Sequence, residues 1–320
     1  MWTYLFRRLL ISVPVLVGIT ALVFLLITLA PGDPIDMIIP EGRRDSLTAG
    51  QMEALRASLG LDKPIPVRYV LWLREAAQGN LGSSYKWHMP VTDVLGDRLG
   101  ATVRLSAAAL LIALAIGIPA GVVMARHQHG KLDYGIQLPI LALWSTPAFF
   151  MALGLIYIFA LRLGWLPAIG MSTPGVPPSL GDQLKHIAMP AFALAAGQAA
   201  IFARYTRASV LDVMQSDFVT TARSKGLSEW TITTRHIGRN AGLPIITMLG
   251  LSIPQFISGA VITETIFSWP GIGQAAYIAT INRDYPMMMG VVSVTAIAVL
   301  ASNLLTDVSY AALDPRIRYD

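Results

Sequence analysis

Long runs of apolar residues alternate with shorter polar segments along the whole chain. The hydrocarbon core of a bilayer is about 30 Å thick, so a spanning helix needs about 20 mostly apolar residues. The pattern therefore predicts an all-α integral membrane protein with six transmembrane helices. The six runs cover residues 9–30, 101–125, 134–161, 187–203, 243–265 and 287–311, and the fourth is alanine-rich and the least hydrophobic.

The overall composition agrees with a chain that is solvated by lipid. Hydrophobic residues make up 54% and charged residues 13% of the 320 positions, and the mean hydropathy is +0.57. A soluble domain carries roughly 25% charged residues, so this chain cannot cover itself with a polar surface. A cytosolic enzyme, a nucleic-acid-binding protein and a disordered scaffold are excluded. The lack of cysteine excludes disulfides, thiolate metal sites and cysteine nucleophiles.

The distribution of positive charge predicts the orientation in the membrane. Segments 1–8, 126–133, 204–242 and 312–320 contain 12 lysines and arginines, whereas segments 162–188 and 266–286 contain 3. Because short cytoplasmic loops carry the excess of positive charge, both termini are expected in the cytoplasm of a multi-pass cell-membrane protein. The predicted order is an N-terminus and first helix (1–30), an external region (31–100), a five-helix core (101–311) and a cytoplasmic tail (312–320).

The external region has its own helical signals. Thr48 and Gln51 have the spacing of a capping box at the start of a short helix, and Gly60 is placed to end it. A second short helix is expected around 67–77, after Pro64 and Pro66. We expect the apolar faces of these helices to pack on each other and on the membrane surface.

The segment 204–242 is the most informative polar part of the chain, because 39 residues are too many for a simple reversal between two helices. A short helix is expected to begin at Asp217, whose carboxylate can cap its first amide groups. Arg223 and Lys225 stand in its last turn, and Gly226 supplies a left-handed stop.

Two interpretations of this short helix remain open from the residues alone. Phe218, Ala222 and Leu227 give it a modest apolar face. In the first interpretation that face rests on lipid headgroups, with the cations toward anionic lipid. In the second the helix presents one face to a cytoplasmic protein partner.

Several segments together resemble one known family. They are Thr-Ala-Arg-Ser-Lys-Gly-Leu at 221–227, Arg-His at 235–236, Arg-Asn-Ala at 239–241, Arg-Arg-Leu-Leu at 7–10, Pro-Gly-Asp-Pro at 31–34, Leu-Gly-Leu-Asp-Lys-Pro at 59–64, Asn-Leu-Gly-Ser-Ser-Tyr at 80–85, Glu-Thr-Ile-Phe-Ser-Trp-Pro-Gly-Ile-Gly at 264–273 and Asp-Pro-Arg at 314–316. Over nearly its whole length the chain resembles ABC-importer permeases, most closely the B-type membrane subunit of the dipeptide/oligopeptide family.

This resemblance implies a non-catalytic subunit that forms half of a pathway for di- or oligopeptides. The implied partners are a second homologous permease subunit, one or two cytoplasmic ATPase subunits and an external solute-binding protein. The chain contains no Gly-x-x-x-x-Gly-Lys-Ser/Thr motif, so ATP and Mg²⁺ would be bound on the ATPase and this chain would bind no cofactor or metal. The residues expected to couple to the ATPase are Asp217, Phe218, Thr220, Thr221, Ala222, Arg223, Lys225, Gly226 and Leu227.

One departure from the general importer-permease loop bears on this coupling. That loop carries Glu-Ala-Ala where this chain has Thr220, Thr221 and Ala222. Without the glutamate, docking is expected to rest on shape, apolar contact and the cations Arg223 and Lys225.

Alternative functions remain open from the sequence. A permease of the same family for nickel chelates, glutathione or oligosaccharides is the nearest alternative. An ion-coupled carrier would need charges at the middle of broken helices, and an intramembrane enzyme would need a Ser–His pair or an acidic dyad. The sequence favours neither, because Glu264 and Asp307 fall at opposite ends of their runs.

The candidates for the substrate pathway or outer gate are Glu264, Trp269 and Gln255. Ionisable residues at membrane depth are functional candidates by default, and Glu264 is placed where it could attract the ammonium group of a peptide at the outer mouth. Trp269 precedes a short helix expected around Ile272, and the tryptophan is either part of a gate or an interfacial anchor.

Overall fold

The computed structural model describes residues 2–30, 35, 48–58, 60–177 and 179–313, and the regular structure within these residues is helical. The all-α class is thereby confirmed, with one isolated β-bridge between Ser83 and Pro90. The segment 31–34, Leu59 and the tail after residue 313 lie outside the described residues. The helices are α1 (Trp2–Leu29), α2 (Ala49–Ser58), α3 (Ile65–Ala77), α4 (Val91–Arg126), α5 (Lys131–Ser145), α6 (Ala148–Leu155), α7 (Leu180–Met214), α8 (Asp217–Ser224), α9 (Glu229–Thr231), α10 (Gly238–Ile266), α11 (Ile272–Ile281) and α12 (Tyr285–Leu313).

Four described helices are long and apolar enough to cross a membrane, and there are six spans if each of two bent pairs crosses as one. The four are Phe6–Leu29, Val91–Arg126, Leu180–Met214 and Tyr285–Asp307; the bent pairs are Lys131–Ser145 with Ala148–Arg162 and Pro244–Phe256 with Ala260–Ile266. The six predicted runs correspond to these segments.

The third predicted span is not the single helix that its apolar run suggested. Its two halves meet at an angle of 104°. Pro147 causes the break, because a proline disfavours the helical conformation in the residue before it. Thr146 accordingly has an extended backbone, with φ −83° and ψ 121°. The second half then continues from α6 as a π-helix over Ile156–Arg162.

The alanine-rich fourth run is the most buried of the four long helices. It forms α7, which extends beyond the predicted 187–203 at both ends and is capped by Ser179, whose Oγ accepts from the Asp182 amide at 3.1 Å. In the most apolar 18-residue stretch of α7, 61% of the residues are buried, whereas in the corresponding stretch of α1 only 11% are buried. The run can have low hydropathy because its neighbours are protein rather than lipid. Its many alanines are small side chains, which let neighbouring helices approach closely.

Two glycines four residues apart mark a close approach of α4 to α7. A Cβ atom on Gly117 would lie 2.6 Å from the Ala199 carbonyl oxygen, and one on Gly121 would lie 2.6 Å from the Ala203 carbonyl oxygen. Real Cβ atoms do not approach other atoms so closely, so only glycine fits at either position. The Gly-x-x-x-Gly spacing puts both on one face of the helix.

The chain divides into two compact units: Met1–Ala101 with Gly271–Leu300, and Thr102–Pro270 with Ala301–Asp320. In the first unit, α3 packs on α1 through Tyr69. The Tyr69 hydroxyl donates to the Val17 carbonyl oxygen at 2.9 Å and lies 3.0 Å from Thr20 Oγ1. The ring of Phe24 lies 5.5 Å from that of Tyr69.

A buried carboxylate, Asp284, organises another part of the first unit. It accepts hydrogen bonds from the Ser84 hydroxyl, from the Lys86 amide at 3.0 Å and from the Met287 amide at 3.2 Å. Burial raises the pKa of the neighbouring Tyr85 hydroxyl, and the negative charge of Asp284 raises that pKa further. Asp284 was not predictable from the sequence, because its partners Ser84 and Lys86 lie about 200 residues away in the chain.

The predicted capping box is confirmed at α2. The Thr48 amide donates to Gln51 Oε1 at 2.9 Å, and the Gln51 amide donates to Thr48 Oγ1 at 3.4 Å. Gly60 has φ +66° just after the helix, as the stop signal required. The next helix, α3, begins two residues before the predicted start at 67.

Candidate functional site

The predicted short helix of segment 204–242 is present as α8, Asp217–Ser224. The expectation that Asp217 caps it is wrong. Ser216 occupies the N-cap position with an extended backbone and makes no side-chain capping bond, while Asp217 is the first helical residue. Its carboxylate still lies where the helix dipole favours negative charge.

The buried face of α8 differs from the predicted one. Val219 and Ala222 are buried, with 0% and 4% exposure, whereas Phe218 and Leu227 are 42% and 40% exposed. Residues three and four apart share a helix face, so Ala222 could turn inward with either Val219 or Phe218, and the structure buries Val219 with it. The buried pair belongs to one apolar cluster with residues of α4, α7 and the segments that follow α8: Ala125, Val210, Ile232, Ile237 and Ala241.

The glycine stop after α8 is present as predicted. Gly226 has φ +73°, a left-handed conformation that side chains rarely adopt. The Leu227 amide donates back to the Ala222 carbonyl oxygen at 3.4 Å, and the Gly226 amide donates to the Arg223 carbonyl oxygen at 2.9 Å. This is the pattern of a Schellman motif. Because a Cβ atom at Gly226 would meet no atom within 4 Å, the glycine is required for its backbone angle and not for space.

One of the two cations at the end of α8 has an acidic partner within the same loop. Arg223 Nε donates to Glu229 Oε1 at 2.9 Å, and the side chains are 44% and 51% exposed. Exposed ion pairs contribute about 0–1 kcal/mol, so the pair orients the two groups more than it stabilises the fold. The sequence analysis did not single out Glu229.

Beyond the turn at Gly226, α9 runs without a break into a long helix. The Ser228 hydroxyl caps α9 by accepting from the Thr231 amide at 3.3 Å. A π-helix over Ile232–Ile237 then joins α9 to α10. Trp230 stands beside this junction and is 72% exposed. We call the exposed side chains of Phe218, Leu227 and Trp230 the α8 surface; α8 itself packs on the helical segment that follows α9, through the apolar cluster of Val219 and Ala222.

A buried ion pair between Asp133 and Arg207 ties α5 to α7, the long helix that precedes α8. The Arg207 guanidinium donates to both carboxylate oxygens of Asp133, at 3.0 Å from Nε and 2.7 Å from Nη2. The His129 amide donates to the same carboxylate at 3.0 Å. Asp133 is 1% exposed, so the first turn of α5 is tied to α7. This pair was not predicted, because it joins residues 74 positions apart in the chain.

The structure places the outer-gate candidates Glu264 and Trp269 in the interior of the second unit. Glu264 is 0% exposed and accepts from Thr102 Oγ1 at 2.7 Å, and Trp269 is 2% exposed. The Trp269 amide donates to the Glu264 carbonyl oxygen at 2.8 Å. Neither side chain is presented at a surface here, and their gating role stays a prediction. Asp307 is half-buried on α12.

Gln255, the third pathway candidate, has a different environment. Its side chain is exposed, and its Oε1 accepts from Gln198 Nε2 on α7 at 2.5 Å. Both glutamines line a cavity of about 300 Å³ in the second unit. Gln255 thus lines a cavity, whereas Glu264 and Trp269 are buried.

The chain matches two family models that together cover almost all of it. Residues 117–319 match the binding-protein-dependent transport system inner membrane component, and residues 1–106 match the N-terminal part of the membrane component of such systems. The chain therefore belongs to this family of transport permeases and is a multi-pass inner-membrane protein. The resemblance to ABC-importer permeases is confirmed.

Individual relatives and one solved structure agree with this family. A putative peptide permease protein of Brucella suis biovar 1 (strain 1330) is 43% identical over 319 residues, which is 99% of each chain. The oligopeptide transport system permease protein AppB of Bacillus subtilis (strain 168) is 38% identical over the full length of both chains. A chain of the MetNI methionine ABC transporter, solved in inward-facing conformations, superimposes with a TM-score of 0.58 at 17% identity; the match covers 69% of this chain and 96% of that one, and it shows a shared fold.

Proposed function

We propose that this chain is the peptide-conducting permease subunit of an ATP-driven importer and that its ATPase partner docks on the α8 surface. A second permease subunit completes the pathway, and an external binding protein delivers the peptide. Both termini lie in the cytoplasm, on the side of the ATPase. The names of the peptide permease relatives support the substrate class.

The observation that carries this proposal is the division of α8 into a buried and an exposed face. An amphipathic helix that binds lipid needs its apolar face free for the membrane. Here Val219 and Ala222 occupy that face and are packed inside the chain. The exposed remainder mixes hydroxyl and charged groups with Phe218, Leu227 and Trp230, a combination typical of protein interfaces, where aromatic residues anchor a polar rim.

The rigid base of α8 explains how docking would transmit force. Val219 and Ala222 share one apolar cluster with residues of α4, α7 and α10. A displacement of α8 by a partner would therefore be passed to several spans as a rigid-body movement, which is the kind of motion that alternating access requires. The missing glutamate of the general loop does not prevent this, because the contact rests on shape and apolar area.

ATP-dependent uptake is the direct test of this function. The chain is reconstituted into proteoliposomes with its partner permease, ATPase and binding protein, and uptake of labelled trialanine is measured. We expect accumulation with ATP and none with a non-hydrolysable analogue. Accumulation driven by a proton or sodium gradient in vesicles that lack the ATPase would instead identify an ion-coupled carrier and contradict the proposal.

A further inference from the structure

The cavity beside Gln255 lies where two bent helix pairs interrupt their spans. One wall comes from the end of α5, at Trp144 and Thr146, where the chain turns by 104° into α6. Another comes from Gln255 and Phe256, at the end of the first half of the pair that bends by 49° within α10. Interrupted helices at membrane depth are tolerated where they line a cavity, and in transporters such places bind substrate.

The two glutamines of this cavity cannot face lipid. Gln198 lies near the middle of Leu180–Met214, and Gln255 lies within α10. Amide donors and acceptors that are left in hydrocarbon without a hydrogen-bond partner cost several kcal/mol. The open side of the cavity must therefore face water or polar groups, which within a permease is the pathway side.

The lining chemistry is neutral throughout. The residues that line the described cavity include two amides and one hydroxyl but no ionisable side chain. The aromatic rings of Trp144 and Phe256 and the thioether of Met151 supply apolar walls. Arg204 lies over the Trp144 ring at 5.0 Å but is not part of the lining. Such a site suits an uncharged polar group flanked by apolar side chains, and it offers no opposite charge to a free carboxylate or ammonium group.

The hydrogen bond between the glutamines shows which neutral group would fit. Gln198 Nε2 donates to Gln255 Oε1 at 2.5 Å, so each amide group can pair with another amide. An amide group offers two donors and an acceptor with two lone pairs, and this bond takes up one of the two donors of Gln198. A peptide backbone, whose N–H and C=O groups repeat the same chemistry, can replace or extend this bond.

We propose that Gln198 and Gln255 form a binding station for the backbone amides of the transported peptide. The inference rests on the proposed function, since it assigns the substrate of that pathway. Recognition at this station would then be independent of the charges at the peptide termini and of the sequence of the peptide side chains. The small residues Ala193, Ala196 and Gly197 in the lining leave room for different side chains.

The test replaces both glutamines and varies one substrate amide. Uptake of trialanine and of its analogue with one backbone amide replaced by an ester is measured in the reconstituted importer, for the unmodified chain and for Gln198→Leu/Gln255→Leu. The double substitution is expected to lower trialanine uptake about tenfold and to lower uptake of the ester analogue clearly less. Comparing each substrate with itself cancels any preference of the binding protein.

Equal losses for the amide and the ester, or no loss at all, would overturn the proposal. Failure of the proposed function has a different signature, because the unmodified chain would then show no ATP-dependent trialanine uptake. A second measurement covers the case of a poorly folded double variant. The chain contains no cysteine, so Gln198→Cys can be labelled with a charged thiol reagent. We expect labelling that trialanine slows; an unreactive thiol in this variant, or labelling that peptide does not affect, would contradict the station.

The control for this labelling is Gln128→Cys. Gln128 is exposed in the turn between α4 and α5 and does not line the cavity. We expect peptide to leave its labelling unchanged, which separates protection at the station from a general effect of peptide on the importer.

Discussion

Replacing Gly226 with valine is expected to abolish substrate-stimulated ATP hydrolysis while leaving membrane insertion intact. Gly226 has φ +73°, and a β-branched residue at positive φ is a genuine outlier. The strain amounts to roughly 1–3 kcal/mol, and it is relieved only if the turn changes its shape. The bond from the Leu227 amide to the Ala222 carbonyl oxygen would then be lost, and the α8 surface with it. The measurement is ATPase activity of the reconstituted importer, with and without peptide-loaded binding protein.

Two control variants isolate the effect of the turn. Gly164 has φ +64° and, like Gly226, open space around its Cβ position, so Gly164→Val introduces the same strain elsewhere and is expected to keep coupling. Gly226→Asn should also retain much of the coupling, because asparagine tolerates the left-handed region. Unchanged coupling in Gly226→Val, or an equal loss in Gly164→Val, would show that the ATPase does not dock at the turn before Leu227.

The second large effect is expected from the ion pair of Asp133. Removing the guanidinium with Arg207→Ala leaves the Asp133 carboxylate buried without its bidentate partner. Breaking a buried pair on one side costs about 3–5 kcal/mol. The Arg207 side chain is 27% exposed, so a loss at the lower end of that range is expected, and the thermal unfolding midpoint of the detergent-purified chain should fall. Arg207→Lys should give an intermediate loss, since an ammonium group cannot make the bidentate contact.

The chain supplies its own comparison for this prediction. Arg223 and Glu229 form an arginine–carboxylate pair of similar length but with both side chains about half exposed. Arg223→Ala is therefore expected to change the free energy of unfolding by less than about 1 kcal/mol. If Arg207→Ala and Arg223→Ala lowered the unfolding midpoint equally, burial of Asp133 would not be the source of the stability assigned to it.

Local signals in the sequence predicted local structure well. The reciprocal bonds of Thr48 and Gln51, the helix at 217–224 and the left-handed Gly226 all depend on residues within a few positions of one another. Their physical causes, capping and the conformational freedom of glycine, are visible in the order of the residues. Apolar length likewise located the segments that can cross the membrane.

Contacts between distant residues were not predictable from one sequence. The Asp133–Arg207 pair and the Gln198–Gln255 pair join residues on different helices, 74 and 57 positions apart. The inward face of α8 was misassigned for the same reason, because the choice between Val219 and Phe218 depends on the cluster that the other helices form. The sequence offered one sign of the Asp133–Arg207 pair: Asp133 is the single acidic residue in the otherwise basic segment 126–133.

The bend after α5 had only a partial signal in the sequence. Pro147 disfavours a helical conformation at Thr146, but membrane spans also tolerate prolines when neighbouring helices satisfy the freed carbonyl groups. The residues alone therefore did not decide between a kinked and a broken span. The consequence is functional, since the cavity with Gln198 and Gln255 opens at that break.

Photo-crosslinking from the α8 surface tests the central claim most directly. Phe218→Cys, the single cysteine in the chain, is labelled with a benzophenone maleimide and irradiated in the assembled importer in its membrane. We expect a covalent adduct with the ATPase subunit, whereas the same label on Leu138→Cys is expected to give none. Adducts of the position-218 label with lipid alone would mean that α8 rests on the membrane, and they would contradict a permease driven through this helix.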